Sequence, residues 1–205
     1  KLKKALSYDD VLLTPKYSDI KSRTEVDITS ELGEGISLSL PVISSPMDTV
    51  TEAPMVGAMD LYGGLGIIHR YNTIEEQTNI VRTAKKTGST NIGVAVGMTG
   101  DFLERATAAS EAGANIVCVD VAHGHHAMMR SCLSELKNLF GESMHIMAGN
   151  VATLEAFEDL STWGADSIRV GIGGGSICST RVVTGHGVPT LQSIIDCARS
   201  ERDTK

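Results

Sequence analysis

Cys178 stands in Gly171-Ile-Gly-Gly-Gly-Ser-Ile-Cys-Ser-Thr-Arg181, where a thiol, several hydroxyls, a guanidinium and bare backbone fall within eleven residues. Glycines this dense leave N–H and C=O groups free to cradle a phosphate or to coordinate a cation, and Ser176 adds a hydroxyl donor. Arg181 and the loop dipoles can favour the thiolate, which would then attack an electrophilic carbon; Thr180, two residues on, can share its proton. The same residues also read as a glycine-rich linker holding a small buried cysteine. The other three cysteines fall on predicted regular elements, Cys118 in a strand and Cys132 and Cys197 on helices, and no CxxC occurs, so neither a disulfide framework nor a zinc site is indicated. Asp120 closes an apolar run, where a carboxylate needs a partner. His123, His125 and His126 read as a polar loop or helix start rather than a metal site.

These residues sit at the ends of short apolar runs, at 38–44, 65–69, 91–96, 115–121, 145–151 and 167–173, which predict six strands. Segments of helical spacing alternate with them, at 51–61, 73–85, 101–112, 127–140, 153–163 and 190–199, with Thr51, Thr73, Asp101 and Thr153 placed as N-caps. Strict strand–helix alternation with runs apolar on both faces predicts an α/β fold with a parallel sheet, either open and doubly wound or closed as a (β/α)8 TIM barrel. The polar residues crowd the C-terminal ends of the runs, as at a barrel rim, and the glycines do not gather after the first strand as a dinucleotide fold requires. About six of eight βα units are accounted for, so about a quarter of the barrel is expected beyond Lys205. The whole of 1–205 reads as one catalytic barrel domain with no inserted regulatory domain, Arg82 to Asn91 being only a short connection.

The 205 residues carry 18 Lys+Arg against 25 Asp+Glu, a formal net charge of −7, and 41% hydrophobic residues, as in an ordinary globular protein. Such a charge gives no general attraction for phosphate backbones or anionic lipid, so nucleic acid and membrane are poor partners. No apolar run approaches the roughly 18 residues that span a bilayer, and the start lacks a signal peptide's apolar stretch. A cytoplasmic location is expected.

The glycine loop resembles the active-site loop of the IMP dehydrogenase/GMP reductase family. The resemblance runs through Ser7-Tyr-Asp-Asp-Val-Leu-Leu-Thr-Pro15, Ser44-Ser-Pro-Met-Asp-Thr-Val-Thr-Glu52, Gly63-Gly-Leu-Gly-Ile-Ile-His69, Asp120-Val-Ala-His-Gly124, Ala148-Gly-Asn-Val151 and Arg169-Val-Gly-Ile-Gly173 in family order. It implies that Cys178 attacks C2 of a purine nucleoside monophosphate, forming a covalent thioimidate, with hydride passing between C2 and a nicotinamide. It implies a potassium ion held by carbonyls of Gly173, Gly175 and Cys178, with Arg181 nearby. Ser176 matches the phosphate contact, and Ser45, Met47, Asn150 and Arg169 match positions around purine and ribose. Without the resemblance Met47 would read as core, Asn150 as a helix-entry turn residue and Arg169 as a surface ion-pair partner. Arg70, Asp120, Val121, Ala122 and Gly173 match the cofactor side, with Asp120 on a ribose hydroxyl, and a homotetramer is implied.

The family has two branches, and the start at Pro15-Lys-Tyr-Ser-Asp-Ile-Lys-Ser-Arg23 resembles the reductases, in which Ser22 and Arg23 correspond to contacts with the NADPH of a neighbouring subunit. A guanidinium suits the 2′-phosphate that separates NADPH from NAD. Asp120-Val-Ala, Ile146-Met-Ala-Gly-Asn and Thr184-Gly are also reductase-like. Ser44 through Glu52, His-Gly-His at 123–125 and Ile177-Cys-Ser-Thr-Arg-Val-Val resemble the dehydrogenases instead. Arg70 stands where reductases usually carry Lys, and Gly174, Ser179 and Thr190 depart from the usual loop residues. The expectation is NADPH-dependent reduction of GMP to IMP and ammonia; the alternatives are NAD-dependent oxidation of IMP and, from another class, an incomplete fragment that needs the remaining barrel strands.

Overall fold

The computed structural model describes residues 4–33 and 35–205. An antiparallel hairpin comes first, β1 (Ser30–Gly33) with β2 (Ile36–Leu38). Six parallel strands then pair in strict chain order: β3 (Ile43–Ser44), β4 (Leu65–Ile68), β5 (Ile92–Val96), β6 (Ile116–Asp120), β7 (His145–Val151) and β8 (Ser167–Val170). Between them run α1 (Ala53–Leu61), α2 (Ile74–Lys86), α3 (Phe102–Ala112), α4 (Ala127–Phe140) and α5 (Leu154–Thr162); α6 (Thr180–Thr184) and α7 (Thr190–Cys197) follow β8.

Alternation along each strand divides the apolar residues into two cores. Ile68, Val94, Val117, Val119, Ile146 and Ala148 face outward and meet the helices through Val56, Val81, Met129, Leu133 and Leu160. Leu65 and Ile67 of β4 cluster on the other face with Ala95, Ile116, Cys118 and Met147. In a flat sheet β4 and β7 would stand about 14 Å apart, three spacings of about 4.8 Å, so residues of both strands share one cluster only because the sheet curls around them. The chain forms a partial (β/α)8 barrel, as expected. Ile36 and Leu38 of the hairpin enter this inner cluster, closing it from the end at which the strands begin.

The predicted first strand, 38–44, is the chief difference. Its start belongs to the hairpin, residues 39–42 bend around Pro41, and only Ile43–Ser44 joins β4. Proline has no N–H for a ladder, and this stops the strand from running through. β8 ends at Val170 rather than 173, where the glycine loop takes over, and α7 ends at Cys197. Two of the four caps hold: Thr73 accepts from the Glu76 amide in a full capping box, and Thr153 from the Ala156 amide. Thr51 instead donates to the Ser45 carbonyl at 2.6 Å, and the Asp101 carboxylate turns to Arg105 at 2.9 Å.

Close approach of α1 to β4 requires Gly66, because a Cβ there would lie 2.9 Å from Val56 Cα, a backbone atom that cannot swing aside. Gly66→Ala is expected to destabilise the protein by about 1–3 kcal/mol, the usual range for overpacking, read as a lowered denaturation midpoint. An unchanged midpoint would mean that α1 is free to shift.

Candidate active site

The site is built from the C-terminal ends of the strands and the loops that leave them. Asp120, Gly149 and Arg169 lie in one row across β6, β7 and β8. Gly149, in the middle, has no side chain; a Cβ there would come within 2.7 Å of Arg169 Cβ. That gap lets the Arg169 guanidinium cross β7 and pair with the Asp120 carboxylate, which answers the need of a carboxylate at the end of a buried strand. Arg169 Nη1 also lies 3.7 Å from Cys118 Sγ, one inward row below.

Asn150 joins three loops. Its side-chain Nδ2 donates to the Gly171 carbonyl at 2.9 Å, its amide donates to the Val121 carbonyl at 2.9 Å, and its carbonyl accepts from Gly124 at 2.8 Å. The ends of β6, β7 and β8 are thereby held in one surface. The glycine loop starts from the Gly171 amide, which donates to the Val151 carbonyl at 2.7 Å. Gly173 and Gly187 lie under Arg181, whose Nη2 reaches the Val188 carbonyl at 3.3 Å. Gly174 leaves the space that Thr190 Oγ1 fills, since a Cβ at 174 would collide with it. Two residues that depart from the usual loop sequence therefore fit each other.

Cys178 lies at the inner end of this loop with its Sγ 3.3 Å from Thr180 Oγ1. Hydrogen bonding from Thr180, by side chain and then by backbone, together with the Arg181 charge and the Gly173 amide, holds its thiol below the ordinary value. The other cysteines move the opposite way. Burial pushes Cys118 up to about 11 and Cys132 up to about 12, and raises Cys197 as well. The contrast singles out Cys178 as the thiol prepared to act as a thiolate.

Two clefts, each of about 380 Å³, meet at Asn150. One holds Arg70, Tyr71, Asp120, Val121, Ala122, Gly173, Cys178 and Thr180, and so brings together the predicted nucleophile and the predicted cofactor side. The other holds Ser45 and Arg169 with Ile67, Met147 and Val170, and lies across the gap between β3 and β8. Met47 is partly exposed at the rim, Ser176 and Gly175 are exposed on the loop, and Arg181 is exposed beside it; none of these lines either cleft. Ser22 and Arg23 are exposed on the N-terminal segment, apart from both. Tyr71 and Ile172 line the nucleophile's cleft although sequence reasoning passed over them; their signal was adjacency to Arg70 and to the glycine run. A larger hollow of about 700 Å³ lies at the opposite end of the strands, among Gly33, Asn115, His145 and Asp166, and contains none of the predicted residues. No group of three or more His, Cys, Asp or Glu that could hold a metal occurs among the described residues, and no described helix is long and apolar enough to cross a membrane.

Comparison with known proteins gives the family. The model of the IMP dehydrogenase / GMP reductase domain matches residues 5–205. The inosine-5′-monophosphate dehydrogenase of Nitrosopumilus maritimus is 31% identical, over 98% of this chain and 68% of its own length. That of Cryptosporidium parvum is 35% identical, over 95% and 58%. A GMP reductase from Buchnera aphidicola is 36% identical, over 94% and 57%. The chain thus spans between 57% and 68% of the length of these relatives. A partial barrel, with a matching domain model over nearly every residue, makes this chain a member of the IMP dehydrogenase/GMP reductase family.

Proposed function

We propose that this chain forms the greater part of an oxidoreductase that works at C2 of a purine nucleoside monophosphate, with Cys178 as the nucleophile. The observation that carries the reading is that Cys178, alone among the four cysteines, has its thiol lowered, in the cleft that also holds Asp120, Val121 and Ala122. The Cys178 thiolate would add to C2 and a C2 substituent would leave, the amino group as ammonia from GMP or hydride from IMP, giving the thioimidate. The C–S bond would then break as C2 takes up hydride to give IMP, or water to give the oxidised nucleotide, with Thr180 taking part in the proton's passage. Ser45, Met47, Asn150 and Arg169 hold the purine and ribose, and Ser176 the phosphate. Arg70, Asp120 and the backbone of Val121, Ala122 and Gly173 form the wall that faces a nicotinamide cofactor. When bound, that cofactor exchanges the hydride with C2.

The donor set of the loop suits a monovalent cation. It consists of carbonyl oxygens, hard ligands that need no acidic side chain, on a glycine backbone packed against Thr190 and Gly187. Gly173, Gly175 and Cys178 would hold a potassium ion there, with Arg181 beside it, and the ion would order the segment that carries the nucleophile.

Of the two family reactions, NADPH-dependent reduction of GMP to IMP and ammonia is the first reading, on the reductase-like start containing Ser22 and Arg23. The exposure of both residues fits contact with the cofactor of an adjacent subunit in a homotetramer. NAD-dependent oxidation of IMP is the second reading, favoured by Arg70 in place of Lys and by relatives of 31% and 35% identity named as dehydrogenases. Parallel assays of the full-length protein, with GMP plus NADPH and with IMP plus NAD, decide between them. Turnover of neither pair would remove the proposal. Arg23→Ala is expected to raise the KM for NADPH by roughly ten- to a hundredfold, the worth of a formed Arg–phosphate contact, and to leave that for NADH nearly unchanged. Equal small effects on both would make Arg23 a plain surface residue.

A further inference from the structure

His69, at the end of β4, is buried and takes no part in the chemistry proposed above, yet both of its ring nitrogens and its carbonyl are engaged. Its ring Nδ1 accepts the Tyr71 backbone N–H at 3.2 Å. Its Nε2 lies 3.2 Å from Glu52 Oε1, on the residue that caps α1. A ring nitrogen that accepts must carry a lone pair, so the proton sits on Nε2 and is donated to Glu52. The His69 carbonyl accepts from Gln77 Nε2 at 2.8 Å, and that same amide nitrogen donates to the Ala95 carbonyl of β5 at 3.0 Å.

The network continues under the turn. Gln77 Oε1 lies 3.4 Å from Arg105 Nη1, and Arg105 Nη2 donates to the Asn72 carbonyl at 3.0 Å and to Asp101 at 2.9 Å. Gln77 and Arg105 are both buried. The backbone of 69–72 is therefore gripped at the His69 carbonyl, the Tyr71 amide and the Asn72 carbonyl. Between these holds lies Arg70, which does far less for itself. Among the described residues its one hydrogen bond, from Nη2 to the Asp120 carbonyl, is long at 3.4 Å, and its buried Nε has no partner there. Arg70 and Tyr71 nevertheless both face the Cys178 cleft, with the guanidinium carbon 5.8 Å from the Tyr71 ring centre. A side chain so weakly tied owes its place to its backbone.

We propose that His69, held by Glu52, is a positioning residue that fixes the 70–71 backbone and so presents Arg70 and Tyr71 to the cofactor side of the Cys178 cleft. The assignment of that side rests on the proposed function; the clamp itself does not.

The test uses the full-length protein and four variants. His69→Leu removes both ring contacts. His69→Asn keeps an acceptor for the Tyr71 amide, since an Asn Oδ1 reaches the N–H two residues on. Glu52→Gln keeps an acceptor for Nε2–H, and Glu52→Ala removes it. Hydrogen exchange at the Tyr71 amide is expected to be slow in the wild type, His69→Asn and Glu52→Gln, and fast in His69→Leu. The KM for the nicotinamide cofactor should rise about tenfold in His69→Leu, the loss expected for one misplaced supporting hydrogen bond, and less in Glu52→Ala. The KM for the purine nucleotide and the alkylation rate of Cys178 should stay within about twofold. A Tyr71 amide that exchanges alike in His69→Leu and wild type overturns the clamp, and so does His69→Asn behaving as badly as Leu. Faster exchange with an unchanged cofactor KM overturns the positioning role. Should His69→Leu fail to fold, the Asn and the two Glu52 variants decide in its place. A wild type that turns over neither nucleotide counts against the proposed function alone, because amide exchange still reads the clamp.

Discussion

Cys178→Ala in the full-length protein is expected to lower turnover on the order of 10³-fold or more, because no second group stands ready to form the bond to C2. The remaining thiols cannot replace it: Cys118 is held up at about 11 and Cys132 at about 12 by burial. The same property predicts a pH dependence. Since hydrogen bonding from Thr180 lowers the Cys178 thiol, the thiolate exists at lower pH than in a free cysteine, and alkylation by iodoacetamide should become fast below the usual thiol range. Thr180→Val should move that rise to higher pH, and bound purine nucleotide should protect Cys178. Retained turnover in Cys178→Ala, or alkylation indifferent to substrate, would rule out the covalent route.

Removing Asp120 is the second large effect, and it separates stability from chemistry. Asp120→Leu would leave the Arg169 guanidinium inside the barrel beside only the Cys118 sulfur. Fully buried pairs lose roughly 3–5 kcal/mol when one partner goes. The side chains here are 20% and 27% exposed, and water reaching them reduces the expected loss to about 2–3 kcal/mol. The double variant Asp120→Leu, Arg169→Leu should regain most of that stability, because no charge is then left alone. It should not regain turnover, since both side chains face the proposed ligand clefts. Denaturant midpoints for the three proteins check the first statement and turnover assays the second; a double variant no more stable than the single would show that the pair is not coupled.

Most strands and helices were legible because a parallel sheet covered on both faces writes itself as short, largely apolar runs, as at 145–151, which matches β7 residue for residue. The hairpin was not legible. Its strands are four and three residues long, and Leu38 reads equally well as the start of a barrel strand; only its place in one cluster with Cys118 and Met147, far along the chain, assigns it to the inner core. Thr51 and Asp101 look like caps locally, but a carbonyl and an arginine supplied by the fold outbid the helix amides. At the site, the glycine loop and Asp120 announced themselves through residue types that are costly in regular structure. Tyr71 did not, because an exposed tyrosine beside an arginine has many innocent explanations. Nor could the sequence show that Gly149 is the gap through which Arg169 reaches Asp120, since that depends on the register of three strands.

The hairpin stopper has a consequence for how the chain folds. Gly33 packs so closely on the His145 ring that a Cβ would fall 2.7 Å from it, and the two residues are separated by more than half the chain. Most other pairings join neighbours in sequence through one helix, so they close short loops at little entropic cost. The stopper closes a much longer loop than these, and its apolar residues have nothing to bury against until β4 to β7 stand side by side. Docking of Ile36 and Leu38 is therefore a late event, and until it happens water can reach the barrel interior from the end opposite the active site.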